Sequence, residues 1–388
     1  MAEIEIGIGK SGRRAYGFDD IAIVPSRRTR DPEDVDIHWE IDAYSFDLPV
    51  LASAMDGVTS PATAIEMSRL GGVGVLNLEG LWTRYEDPES VFDEIAKLPE
   101  DRATQRMQEL YQEPIKEALV VERIRQIKEA GATTAASLTP QRVEQFAKQL
   151  AQVELDLFVI QGTVVSAEHV SKTSEPLNLK RFIREFDIPT IVGGCASYHA
   201  ALHLMRTGAA GVLVGVGPGE ACTTRGVLGL GVPQATAIAD ARGARMRHLD
   251  ETGVYVQVIA DGGMSRGGDI AKAIVCGADA VMIGSPLAAA AEAPGRGHHW
   301  GMATAHPTLP RGVRVKTETR GTLEEILVGP ARENDGRTNL FGALKTSMAT
   351  CGYESLKDFQ KADVMIAPAL QTEGKSLQQS QKIGMHNG

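Results

Sequence analysis

The chain has 388 residues, of which 43% are hydrophobic and 23% charged, ordinary globular usage, and its 41 glycines imply many tight loops. Its net charge of −10 excludes broad binding to a nucleic-acid backbone, which needs clustered Lys and Arg, and no uninterrupted apolar run reaches the about 18 residues of a membrane span. The start, MAEIEIGIGKSGRR, is acidic where a secretory signal is basic and lacks an apolar stretch, so the expectation is a cytoplasmic protein with neither nucleic acid nor membrane as partner.

An N-terminal arm runs to about residue 47. Short β-rich apolar runs then follow at Pro49 to Ser53, Val73 to Asn77, Thr133 to Ser137, Leu157 to Gln161, Thr190 to Gly193, Gly211 to Val216, Tyr255 to Ala260 and Ala280 to Ile283. Amphipathic helical segments such as Ala62 to Leu70, Gln141 to Gln152 and Gly268 to Cys276 fall between them, the alternation of parallel strands and crossover helices. Eight such runs predict an α/β fold, a (β/α)₈ barrel of the triosephosphate-isomerase type. An open doubly wound sheet is the competing architecture. Here, however, the glycine-rich loops follow strands five to eight rather than the first. Three portions exceed a minimal barrel: the arm, a charged helical stretch from Tyr85 to Ala130, and everything after about Glu292. The whole chain is read as one catalytic domain with a flap over residues 295–345 and a tail over 346–388, the flap rich in Gly, Pro, Arg and Thr as a lid over a barrel mouth would be.

Functional residues of a barrel sit where its strands end. Strand six runs into Gly215-Val216-Gly217-Pro218-Gly219-Glu220-Ala221-Cys222-Thr223-Thr224-Arg225. Alternating glycines turn amides inward, and a Cys222 thiolate at the loop tip would be a strong nucleophile. The alternative is a small buried Cys that fills space. The four cysteines include no CxxC pair, so neither a zinc site nor a disulfide framework is expected. Strand seven ends in Asp261-Gly262-Gly263 and strand eight in Gly284-Ser285, each opening a helix, the arrangement of a barrel phosphate site with Asp261 free to accept from ribose hydroxyls. Plain barrel turns with a capping Asp are the other reading.

Tyr16 to Arg28, Ser53 to Thr59, Gly215 to Gln234, Ile259 to Ala273 and Met282 to Gly295 together resemble, in order, the IMP dehydrogenase/GMP reductase family, the similarity running from about residue 10 to about 377. The resemblance implies attack of Cys222 on C2 of IMP, hydride transfer to NAD⁺, and hydrolysis of the thioimidate to XMP. It places Ser53, Met55, Gly219 and Cys222 around the nucleotide, Asp261 on the ribose, Gly263, Gly284 and Ser285 on the phosphate, and Met302 on the base. Thr224 and Arg311 would activate water, and Gln161 and Gly162 stand at the cofactor position. Carbonyls of Gly217, Gly219 and Cys222 would hold a monovalent cation such as K⁺, with Glu373 and Gly374 contributed by a neighbouring subunit of a tetramer or octamer.

The departures are equally specific. The family's cystathionine-β-synthase-type regulatory modules are absent, since only about 55 residues separate Asn77 from Thr133. The chain therefore resembles the module-lacking subgroup, for which no allosteric control through such modules is expected. Gln161 replaces an Asp, Cys195 an Asn beside the base, Leu213 a Lys or Arg, and Lys375 a tail glycine, while His299-Trp300-Gly301-Met302-Ala303 replaces Tyr-Arg-Gly-Met-Gly. A GMP reductase, which converts GMP to IMP with NADPH, is a second reading, against which Gly231-Val232-Pro233-Gln234 and Glu292-Ala293-Pro294-Gly295 speak. A weakly catalytic purine-nucleotide-binding regulator is the third.

Overall fold

The structure, a computed structural model, describes residues 3–172, 176–367 and 373–384. Eight parallel strands close into a barrel: β1 (Val50–Ala52), β2 (Val73–Asn77), β3 (Ala135–Leu138), β4 (Leu157–Gln161), β5 (Thr190–Cys195), β6 (Gly211–Val214), β7 (Gln257–Asp261) and β8 (Ala280–Ile283). β8 returns to β1 in the register Val281 to Val50, Met282 to Leu51 and Ile283 to Ala52, so no barrel edge is left open. The (β/α)₈ expectation is met. Period-two alternation sorts the side chains: Leu51, Val73, Leu157, Ile191, Leu213, Ile259 and Met282 fill the interior, while Val50, Phe158, Val212 and Val258 face the helices.

The N-terminal arm closes the bottom of the barrel. Its hairpin, Trp39–Ile41 against Tyr44–Phe46, pushes Trp39, Ile41 and Phe46 into the interior cluster. The Trp39 indole donates to Gln257 at the start of β7 (3.2 Å), and the Tyr44 hydroxyl to Asp156 just before β4 (3.2 Å). The strands' opposite ends remain the open face.

Strand bounds shift where polar side chains take over the backbone. Thr134, expected within the third strand, instead gives its N–H (2.8 Å) and hydroxyl (2.7 Å) to Asp156, and β3 begins at Ala135. β6 stops at Val214, whose carbonyl accepts the Gln234 side-chain amide (2.8 Å), and the chain bends over Val216 and Gly217. Around the barrel lie α1 (Pro61–Arg69), α2 (Pro88–Lys97), α3 (Glu100–Leu110), α4 (Glu117–Glu129), α5 (Val143–Gln152), α6 (Leu179–Phe186), α7 (Tyr198–Met205), α8 (Thr224–Leu228), α9 (Gln234–Thr252) and α10 (Gly267–Cys276). The charged stretch after β2 is thus three helices, α2 to α4.

One buried ion pair binds these layers. Arg245 of α9 meets Asp279, which precedes β8, at 2.6 Å with both side chains almost wholly buried. Gln360 accepts from Arg245 (3.0 Å), and Tyr255 donates to Asp279 (2.7 Å). Removing one partner leaves the other charge buried and unpaired. Arg245→Ala is expected to lower the unfolding free energy by about 3–5 kcal/mol, read as a reduced denaturant midpoint.

Candidate active site

A cavity of about 840 Å³ opens at the C-terminal ends of the strands. Such a volume is at the upper end of ordinary small-molecule sites, enough for more than one ligand moiety. Of the residues singled out from the sequence, Ser53, Met55, Gln161, Gly162, Gly217, Gly219, Cys222, Thr224, Asp261, Met302 and Arg311 line it.

The loop after β6 can pass close to β7 only because Gly215 has no side chain: a Cβ there would lie 2.2 Å from the Asp261 carbonyl oxygen. The Gln234 amide, at the start of α9, donates to the carbonyls of Val214 (2.8 Å) and Asp261 (3.0 Å), tying the two loops together. The loop then presents Cys222, whose Sγ lies 3.1 Å from the Thr224 hydroxyl. Its N–H bonds the Gly219 carbonyl (3.0 Å). The other cysteines are in different environments. Burial pushes the thiols of Cys195 and Cys276 up to about 12 and raises that of Cys351. A thiolate is the nucleophilic form, so these three are held in the inert form.

The flap docks on the Cys loop. The Arg311 carbonyl accepts the Thr223 N–H (2.8 Å) and hydroxyl (2.6 Å), and Val313 N–H bonds the Ala221 carbonyl (3.1 Å), so Cys222 and Gly312 lie opposite one another in an antiparallel bridge. Arg311 thereby enters the cavity wall, with its Nε buried and without a partner. Further out the flap is gripped by the helices after β2. Arg314 donates to the carbonyls of Ile95 and Leu98 at the end of α2, the latter at 2.7 Å, and Gln108 of α3 donates to the His306 carbonyl (2.7 Å).

Asp261, at the end of β7, is half-buried, and desolvation pushes its carboxyl up to about 7. Gln161 donates to it at 3.2 Å. Gly263, Gly284 and Ser285 stand one layer behind the wall. Gly263 packs on Pro218, and a Cβ on Gly284 would lie 2.9 Å from the Met55 sulfur. The Ser285 hydroxyl is 3.1 Å from Nε2 of His299, whose Nδ1 is 2.7 Å from the Thr317 hydroxyl, and burial lowers this imidazole's pKa. Glu373 and Gly374 form an exposed turn outside the cavity lining.

Two of the positions at which the chain departs from the family lie away from the cavity lining. Leu213 is fully buried inside the barrel, below the cavity. Cys195 follows a register irregularity between Gly193 and Cys195 that turns its thiol to the Leu213 carbonyl (3.4 Å) and into the layer under the helices. Conversely, Asn77, Glu79, Arg84 and Tyr111, all on or after β2, form a wall that sequence reasoning missed. Tyr111 donates to the buried carboxylate of Asp56 and accepts from the Trp300 indole (2.8 Å), joining the loop after β1, the segment after β2 and the base of the flap. Its only sequence signal was a Tyr at the end of a charged helix.

The Asp261 shift carries a stability consequence. The carboxyl ionises near 7 in the folded chain but near its ordinary value once unfolded, so the folded state holds the extra proton between those limits and loses relative stability as pH rises through them. Asp261→Asn is expected to raise the melting temperature at pH about 8, with the gain shrinking towards pH about 3, where both states are protonated. A melting series against pH measures this.

Residues 15–304 match the model of the IMP dehydrogenase / GMP reductase domain. An uncharacterised oxidoreductase of Mycolicibacterium smegmatis is 50% identical over 372 residues, covering 94% of this chain and 99% of that protein. The inosine-5′-monophosphate dehydrogenase of Methanocaldococcus jannaschii is 26% identical over 489 residues, covering 93% and 94%. The crystal structure of an IMP dehydrogenase/GMP reductase-like protein from Corynebacterium glutamicum superimposes with a TM-score of 0.89 at 47% identity, covering 94% of this chain and 97% of that one. The chain belongs to the IMP dehydrogenase/GMP reductase family.

Proposed function

We propose that the protein is an NAD-dependent IMP dehydrogenase that oxidises IMP to XMP, the step that commits purine to guanine nucleotide synthesis. The observation that carries this reading is the Cys222 thiol, 3.1 Å from the Thr224 hydroxyl, in the wall of a cavity that Asp261, Met302 and Arg311 also line. Cys222 adds to C2 of the base, forming the S–C bond. NAD⁺ supplies the acceptor for the hydride that leaves C2, and the nucleotide remains as a thioimidate on Cys222. Water then adds to C2, the S–C bond breaks, and XMP is released with return of the thiol. Thr224 and Arg311 are the residues assigned to orient that water and take its proton; the paired bonds from Thr223 to the Arg311 carbonyl keep Arg311 beside the loop tip.

Ser53, Met55 and Gly219 are assigned to the nucleotide, Asp261 to its ribose, Met302 to the base, and Gly263, Gly284 and Ser285 to the phosphate. The buried His299 beside Ser285 supports the last assignment as a fixed partner for that hydroxyl. Gln161 and Gly162 begin the cofactor side of the cavity, where Thr163 and Val164 continue the wall. A monovalent cation such as K⁺ would take the carbonyls of Gly217, Gly219 and Cys222. Because Glu373 and Gly374 are an exposed turn, their part in that site belongs to a neighbouring copy in a tetramer or octamer. A cytoplasmic location accords with this substrate, and no helix among the described residues is long and apolar enough to cross a membrane.

Nicotinamide absorbance, followed with potassium present, tests the direction. A rise with IMP and NAD⁺ is expected. A fall with GMP and NADPH alone would make the protein a reductase, and silence in both a nucleotide-binding barrel. Cys222→Ser is expected to keep nucleotide binding and abolish turnover. A wild-type rate in that variant, or mapping of a 6-chloropurine nucleotide adduct to Cys195, Cys276 or Cys351, would remove the covalent mechanism from Cys222.

A further inference from the structure

Gln161 ends β4 with its side-chain amide in the cavity wall beside Asp261. A carboxylate only accepts hydrogen bonds, so the amide must turn its NH₂ towards it. It does so, with Nε2 at 3.2 Å from Asp261 Oδ2 and 3.9 Å from the Met282 sulfur. The consequence falls on the other end of the amide: Oε1 is buried with no hydrogen-bond partner. A buried acceptor left unmade carries a desolvation cost until a donor arrives. Asp261 is in a similar position, a half-buried carboxyl whose one side-chain hydrogen bond among the described residues comes from the Gln161 amide.

Two acceptors on adjacent strand ends, joined by one hydrogen bond, call for a ligand group with two neighbouring donors and no negative charge. A phosphate fails on both counts, being an acceptor-only anion. A ribose cis-diol fits: each hydroxyl donates once, one to each acceptor. The pair also lies on the nucleotide side. The residue after Asp261, Gly262, packs against Gly219 of the Cys222 loop, where a Cβ would lie 3.2 Å from the Gly219 nitrogen.

We infer that Gln161, although it stands at the position of a cofactor contact, reads the nucleotide: its Oε1 accepts from one ribose hydroxyl while Asp261 accepts from the other. Together they select ribonucleotides over deoxyribonucleotides. This rests on the reading of the ligand as a purine nucleoside monophosphate. Sites built to pair with a hydroxyl discriminate strongly against analogues lacking it, because their own buried groups are then left unpaired.

The test is calorimetric titration, without cofactor, of IMP, 2′-deoxy-IMP and 3′-deoxy-IMP into the wild-type protein and into Gln161→Met, which keeps the side chain's length but not its oxygen. Wild type is expected to bind IMP at least about tenfold more tightly than either deoxy analogue. In Gln161→Met, IMP is expected to weaken by about tenfold, while one deoxy analogue binds as it does to wild type. The preference against the other analogue, carried by Asp261, persists. Equal weakening of all three nucleotides, or no change in any, overturns the inference and leaves the function standing. Equal binding of the three nucleotides by the wild-type protein does the same without reliance on the variant. If wild type binds none of them, the purine-nucleotide reading itself falls, and this inference with it.

Discussion

The two hydrogen bonds from Thr223 to the Arg311 carbonyl hold the open face of this barrel together. They join a loop that grows out of β6 to a segment that lies almost ninety residues further along the chain, at the residue next to Cys222. Without them Cys222 and Thr224 would stand on a loop tip open to solvent, and Arg311 would have no fixed place. With them, Arg311 and Gly312 join Cys222 in the wall of the cavity, where polar interactions count for more than in bulk water. Behind the loop, the Gln234 amide does the corresponding work by spanning the ends of β6 and β7.

Several features of the face work against stability. Asp261 is half-buried with its carboxyl pushed up to about 7, and Gln161 Oε1 and Arg311 Nε are buried without partners. The barrel beneath is mostly branched and small apolar side chains, with the arm hairpin closing the far end and the Ser137 hydroxyl of β3 the unpaired polar group among its described residues. Rigid apolar packing below and unmet polar groups above is the division expected of a scaffold that holds a site ready for its ligand.

The barrel was legible in the sequence because parallel strands buried on both faces read as apolar runs, and their order and number survived small shifts at the ends. The Cys222 loop and the Asp261 turn were legible because glycine spacing is a local signal. What escaped was whatever depends on the third dimension. That Leu213 stands where the family has a Lys or Arg was plain in the sequence, but not that strand alternation points it into the barrel interior. Cys195 was read beside the base, yet a register irregularity one residue earlier turns it away. The wall made by Glu79, Arg84 and Tyr111 left no pattern, because Tyr111 meets Asp56 and Trp300 only once three distant segments have packed.

The grip of Arg314 on the Ile95 and Leu98 carbonyls has a further meaning. Those carbonyls belong to the end of α2 and the residue that follows it; Ile95 also accepts the Leu98 N–H there, and Arg314 adds a second donor to it and one to Leu98, so the flap caps that helix's C-terminal end. Docking of the flap and order in the end of α2 are therefore a single equilibrium. By reciprocity of linkage, whatever binds under the flap slows amide exchange at the end of a helix it never touches, and whatever frays that helix weakens binding by the same factor.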